Sequence, residues 1–245
     1  MESPYPTSYT ATQSDVAKAA NVSTATVSRV VNQPHSVSLP IRERVEAAIS
    51  SLNYVVDAAA RALVSKRSQC IGAVIPTLAN SIFAEGINAF ERSLNQANYS
   101  LMLTCSGHDV QQELSQVRTL LARGVDAIML VGFNHDPEVF QLLEHRAIPD
   151  VLTWAFRHDS PHPCVGFDNY QAARRMAQHL MGLGHKHFAV ISGIAEGNDR
   201  VQDRLQGTQQ ALAEQGIELT DQRIIQCDYD IAAGREACRQ LMGLH

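Results

Sequence analysis

Residues 15–33 read DVAKAANVSTATVSRVVNQ, and the fold of the chain's first part is decided there. From Gln13 to Ala20 the spacing sets Val16, Ala17 and Ala20 on one helical face. Asn21, tolerant of left-handed backbone, then breaks the pattern, and Ser23 carries the hydroxyl that caps a new helix over 24–32. That helix turns Val27, Val30 and Val31 inward and leaves Thr24, Ala25, Ser28 and Arg29 outward. Two short helices joined by a tight turn, the second polar on its outer face, form a helix-turn-helix, whose second helix lies in the major groove of DNA.

Working outward, a third helix is expected after Ser38, where Ile41, Val45, Ala48, Ile49 and Leu52 recur three or four apart and close a three-helix core. Pro40 is tolerated near its start, because first-turn N–H groups have no partner within the helix. Residues 1–11 are polar with two prolines and are expected to be a disordered tail.

Beyond Ser68 short β-rich runs alternate with longer amphipathic ones. Strands are expected at 71–75, 100–104, 127–131, 150–154, 164–167, 188–192 and 224–227, and helices at 82–97, 110–122, 136–146, 170–183, 200–215 and 231–243. The fold class is α/β: strand–helix repetition of this kind makes a doubly wound parallel sheet with helices on both faces. Ligands in such sheets bind outside the carboxyl ends of the strands, where the loops here are rich in hydrogen-bonding and aromatic side chains.

Composition agrees with a two-part chain. At 245 residues, 45% hydrophobic and 18% charged, it can bury a real core. The net charge of −5 divides unevenly at Ser68, with +2 before it and −7 after it. A basic head on an acidic body restricts non-specific adhesion to DNA while leaving one cationic surface to meet phosphates.

The run 15–33, followed by VSLPIRERVEAAISSLNYV at 37–55, closely resembles the head of the lac repressor family of transcription regulators. The likeness continues through PTLANSIFAEGINAFE at 76–91, RGVDAIMLVG at 123–132, FDNYQAARRMAQHL at 167–180, GLGHKHFAVISG at 182–193 and DRLQGTQQAL at 203–212. It implies a tail (1–11), a DNA-binding head (12–56), a hinge (57–68) and a periplasmic-binding-protein-like pair of lobes for effector binding and dimerisation (69–245). The implied function is a homodimeric cytoplasmic repressor that binds palindromic double-stranded operator DNA and responds to a sugar-like effector.

By the same resemblance Thr24, Ala25 and Arg29 occupy positions that read base edges. Ser23, Ser28 and Asn32 stand where phosphates are contacted, although helix capping accounts for them equally well. In the hinge, VVDAAARALVSKRS at 55–68, Leu63 matches the residue that wedges into the minor groove, with Ala60 one turn before it. Val56-Asp57 replaces the usual Pro-Asn pair there, and a carboxylate near phosphates should repel. Arg204 matches a ligand-contacting arginine, Phe83 lies in the first ligand loop, and Asn198 and Arg200 lie in another. Trp154 stands at a strand end where stacking on a ligand ring is possible. Asp168 and Asn169 reach either the ligand or the start of the next helix.

Other classes fare worse. A solute-binding protein without DNA function, the alternative reading, calls for an export signal and no helix-turn-helix. An enzyme is not expected: no GxGxxG, phosphate loop or GxSxG elbow is present. No cofactor is expected, and no metal, since His185 and His187 lack further ligands nearby. The five scattered cysteines suggest neither disulfides nor zinc, and no apolar run is long enough to span a bilayer. The resemblance also implies further strands and helices after His245, so the second lobe is expected to be incomplete, with an open sheet edge.

Overall fold

In the computed structural model, which describes residues 11–55 and 67–243, Thr12 opens the first helix through a reciprocal cap. Its hydroxyl accepts from the Asp15 N–H, and the Asp15 carboxylate accepts from the Thr12 N–H at 2.9 Å. Helix α1 (Gln13–Ala19) ends at Asn21, whose φ of 53° turns the chain toward α2 (Thr24–Asn32). Ser23 caps α2 by accepting from the Thr26 N–H at 3.1 Å. After a short 3-10 turn at Pro34–Ser36, α3 (Leu39–Ser51) completes the head.

The head's core is small and aliphatic. Val16, Ala17, Ala20, Val27, Val30, Val45 and Ala48 are buried, with Ile49 and Leu52 packed at its margin. Val31, expected inward, is only half-buried, because it lies toward the end of α2. The chain divides into two compact units between residues 66 and 67. The expected tail up to residue 10 and hinge up to residue 66, with Ala60 and Leu63, lie outside the described residues.

The second unit begins with β1 (Cys70–Ile75), α4 (Ser81–Gln96), β2 (Ser100–Cys105), α5 (Val110–Ala122), β3 (Ala127–Val131), α6 (Pro137–His145), β4 (Asp150–Thr153) and β5 (Cys164–Val165). The strands pair in parallel in the order β2-β1-β3-β4-β5. Side-chain alternation sends Val74, Ile128 and Leu130 to one face, under Leu114, Val117 and Leu120 of α5 and Val139 and Leu143 of α6. Ala73, Ile75, Met129 and Val131 point to the opposite face, against Phe83 and Ile87 of α4. Burial on both faces explains why these strands read as continuous apolar runs.

The chain continues through α7 (Asn169–Gly182), β6 (Val190–Ser192), α8 (Asp199–Ala213), β7 (Ile224–Gln226) and α9 (Ile231–Met242), with β6 and β7 forming a separate parallel pair. Helices α7 and α8 meet so closely that a Cβ on Gly207 would collide with the Tyr170 backbone. Strand β5 is shorter than the expected 164–167, since Gly166 packs directly on the Ala155 backbone. Strand β6 starts at Val190 rather than 188, because its partner β7 offers only three residues to pair with. Among the described residues no helix is long and apolar enough to cross a membrane.

Leu120, fully buried beneath β1, is the clearest probe of this packing. Leu120→Ala is expected to destabilise the second unit by about 2–5 kcal/mol. Trp154, the single tryptophan, reports the loss as a lower denaturant midpoint in fluorescence-monitored unfolding.

Candidate nucleic-acid interface and ligand cleft

Capping decides which side chains of α2 remain available. Ser23 is engaged at the helix start, and Asn32 Nδ2 donates to the Ser28 carbonyl at 2.9 Å and to the Ser28 hydroxyl at 3.3 Å. Gln13 Nε2 donates to the Thr24 carbonyl at 3.0 Å and so fixes the start of α2 against α1. Thr24, Ala25 and Arg29 are left exposed on the outer face of α2. Their side chains make no hydrogen bond among the described residues, so this surface can present a hydroxyl, a methyl group and a guanidinium to a groove.

In the second unit the sheet order reverses between β1 and β3, and the polar groups gather at that point. Strand β3 ends at Val131, where Gly132 takes a φ of 86°. The first two residues of α8 close that end. Asp199 Oδ2 accepts from the Phe133 N–H at 2.8 Å, Arg200 Nη1 donates to the Val131 carbonyl at 3.0 Å, and the two side chains pair at 2.9 Å. A Cβ on Gly132 would collide with both, so only glycine admits the dipeptide. Asp199 and Arg200 are buried, and burial lowers the Arg200 pKa while the Asp199 charge opposes the shift.

His135 supports the same turn from below. Its Nδ1 lies 2.7 Å from Glu113 Oε1 and its Nε2 lies 3.0 Å from the Gly132 carbonyl. Both partners accept, so both ring nitrogens donate and the ring is an imidazolium. Burial alone would lower its pKa, but the hydrogen bond and charge of Glu113 and the Gly132 carbonyl raise it above the ordinary value. His108 shifts the opposite way, lowered by burial and by the Arg200 charge.

The expected ligand residues separate into distinct environments. Asn198 caps α8 and is buried, and Asp168 caps α7 by accepting from the Gln171 N–H at 2.9 Å. Arg204 donates to Asn169 Oδ1 at 2.6 Å, and Asn169 Nδ2 donates to the Trp154 carbonyl at 3.1 Å. Trp154, at φ 60°, packs edge-on against buried Phe83 with ring centroids 5.1 Å apart. Arg157 pairs with Asp203 at 3.5 Å and lies 4.6 Å from the centroid of the Phe133 ring. Burial raises the Asp203 carboxyl, against the pull of Arg157.

The larger open cavity lies elsewhere. About 510 Å³ separates the start of α4, at Asn80 and Ser81, from Ser192 and Gly193 after β6 and Asp228, Tyr229 and Asp230 after β7. None of the ligand residues expected from sequence lines it; Arg200 borders only a constriction of about 20 Å³ beside His108 and Glu113. The signal that could have found Asp228–Asp230 was their place just past a strand's carboxyl end.

Residues 12–66 match the family described as bacterial regulatory proteins, lacI family, and residues 68–245 match periplasmic binding proteins and sugar binding domain of LacI family. Catabolite control protein A of Priestia megaterium is 33% identical over 228 residues, covering 93% of this chain and 69% of that protein. The ribose operon repressor of Escherichia coli strain K12 is 32% identical, covering 95% of this chain and 70% of its own length. The HTH-type transcriptional regulator GntR of the same strain is 31% identical, and this chain spans 61% of it. Among solved structures, the lac repressor dimer bound to operator and the anti-inducer ONPF superposes with a TM-score of 0.80 at 27% identity over 96% of this chain and 71% of that one. A LacI-family regulator from Silicibacter pomeroyi gives 0.82 at 26% identity, over 95% and 70%.

The imidazolium at His135 has a pH signature. A folded-state pKa above 6.5 contributes stability that is present below that value and lost as pH rises through the folded pKa. The stability advantage of the parent chain over His135→Gln is therefore expected to shrink as pH is raised from 6.5, in paired denaturant titrations. Pairing with the variant cancels the opposite contribution of His108. An advantage that grows with pH would contradict the assignment.

Proposed function

The chain belongs to the LacI family of bacterial regulatory proteins, and on that premise we propose that it is a sequence-specific DNA-binding repressor governed by a small, sugar-like effector. The observation that carries this reading is the capped helix-turn-helix whose outer face leaves Thr24, Ala25 and Arg29 unengaged. In this reading residues 12–56 read DNA, 57–68 are the hinge, with Ala60 and Leu63 entering the minor groove, and 69–245 bind effector and a second copy of the chain. Arg29 donates two hydrogen bonds to a guanine, Thr24 and Ala25 touch neighbouring base edges, and Ser23, Ser28 and Asn32 meet phosphates.

A homodimer suits the task, because two heads on a two-fold axis match a palindromic operator. The solved lac repressor dimer on operator supports this by likeness. The effector acts by binding one arrangement of the sensing unit better than another. Arg204 and Trp154 orient it, while Phe83, Asp168, Asn198 and Arg200 act through the scaffold behind. The protein works in the cytoplasm by binding rather than by turnover, as its transcription-regulator relatives suggest.

Site selection from random duplex DNA, with light scattering on the same sample, tests the reading. The parent chain is expected to recover a palindromic consensus. Arg29→Ala is expected to lose about 1–3 kcal/mol of discrimination at one base pair per half-site. A well-folded dimer with no sequence preference would overturn the proposal.

A further inference from the structure

The 510 Å³ cavity deepens that reading, on which the word effector rests, because its charges select among ligands. No Lys, Arg or His lines it, whereas Asp228 and Asp230 do. Asp230 Oδ1 is already committed to the N–H groups of Ala232 and Ala233 at the start of α9, which leaves its charge in place but shares one oxygen. At the opposite wall the start of α4 is capped by Asn80, whose Oδ1 accepts from the Ile82 N–H at 3.1 Å. The Tyr229 ring rests on Gly193, where a Cβ would collide with it, and is still 47% exposed. It lies nearly parallel to His108, at 19°.

The arginines that an anionic ligand would need are engaged by the chain itself. Arg200 is paired with Asp199 and the Val131 carbonyl, Arg204 with Asn169, and Arg157 with Asp203. A phosphate or carboxylate entering the cavity would meet two carboxylates and no cation on its walls. Hydroxyl groups are suited to what the walls offer: carboxylate and amide acceptors, the hydroxyls of Ser81 and Ser192, and an amphipathic ring.

We infer that the effector is an uncharged or cationic polyhydroxyl compound, and that this cavity rejects phosphorylated and carboxylated sugars. Asp228 and Asp230 supply the discrimination, and Tyr229 the apolar wall.

The test screens the full chain, without DNA, against a library of neutral sugars and polyols, amino sugars, sugar phosphates and sugar acids at equal concentration. Thermal unfolding and Trp154 fluorescence are the readouts. Binding is expected only among neutral and amino compounds. Asp228→Asn should weaken a recovered amino sugar by about tenfold, with a smaller effect on a neutral one. Asp228→Lys, checked for folding by its own melting curve, should weaken the amino sugar further and admit gluconate or glucose 6-phosphate. Binding of a sugar acid or phosphate to the parent chain as tight as that of its neutral counterpart overturns the inference, and so does silence across the library. Neither readout involves an operator, so failure here is distinguishable from failure of the DNA-binding proposal.

Discussion

The second unit depends on how the open end of β3 is closed. Past Val131 the sheet has no further strand residue to satisfy the Val131 carbonyl and the Phe133 N–H, and an unpaired buried backbone group costs about as much as a lost hydrogen bond. Asp199 and Arg200 supply an acceptor and a donor from the start of α8, 66 residues along the chain from Phe133. Their mutual ion pair lets both charges be buried. Removing either partner alone would leave the other uncompensated, at a cost of about 3–5 kcal/mol, whereas the intact pair contributes geometry more than stability. Gly132 is the sequence's concession to this contact, and His135 with Glu113 holds the turn that presents it.

The head follows a different logic. Its core is made of valines and alanines, so a few side chains exclude water from three short helices and no large residue sets the packing. A domain this small buries a modest fraction of its surface and gains proportionately from well-made helix ends. The reciprocal cap at Thr12 and the hydroxyl cap at Ser23 are such ends. They also fix where α2 begins, and hence which three side chains form its outward face. Local stability and the direction of the reading surface are therefore set by the same residues.

That coupling explains what the sequence disclosed. Caps, helical spacing and alternating apolar runs are local, so the head and the order of strands and helices could be read directly, with ends shifted by only a few residues. The site was less legible because its partnerships are remote. Arg200 reads as a free cation until Asp199 is seen folded back onto β3, and Arg204 until Asn169 is placed 35 residues before it. Phe83 reads as a loop aromatic but serves the core beneath α4. Asp228, Tyr229 and Asp230 carry no motif, and only the placement of β7 beside β6 brings them opposite Asn80 and Ser81.

The same partnerships bear on how a bound molecule could be felt. The buried apolar clusters of the second unit draw their residues from β1 through β5 and the helices around them. The elements from α7 onward meet that core through polar groups instead: Asp199 and Arg200 on β3, Asn169 on Trp154, and Asp203 on Arg157. An apolar interface resists rearrangement because every partial opening exposes surface to water. A hydrogen-bonded junction exchanges its partners with water at a net cost of about 1 kcal/mol per bond. A ligand lodged between Asn80 and Asp228 touches both sides of that junction, so modest binding energy suffices to favour one arrangement of it over another.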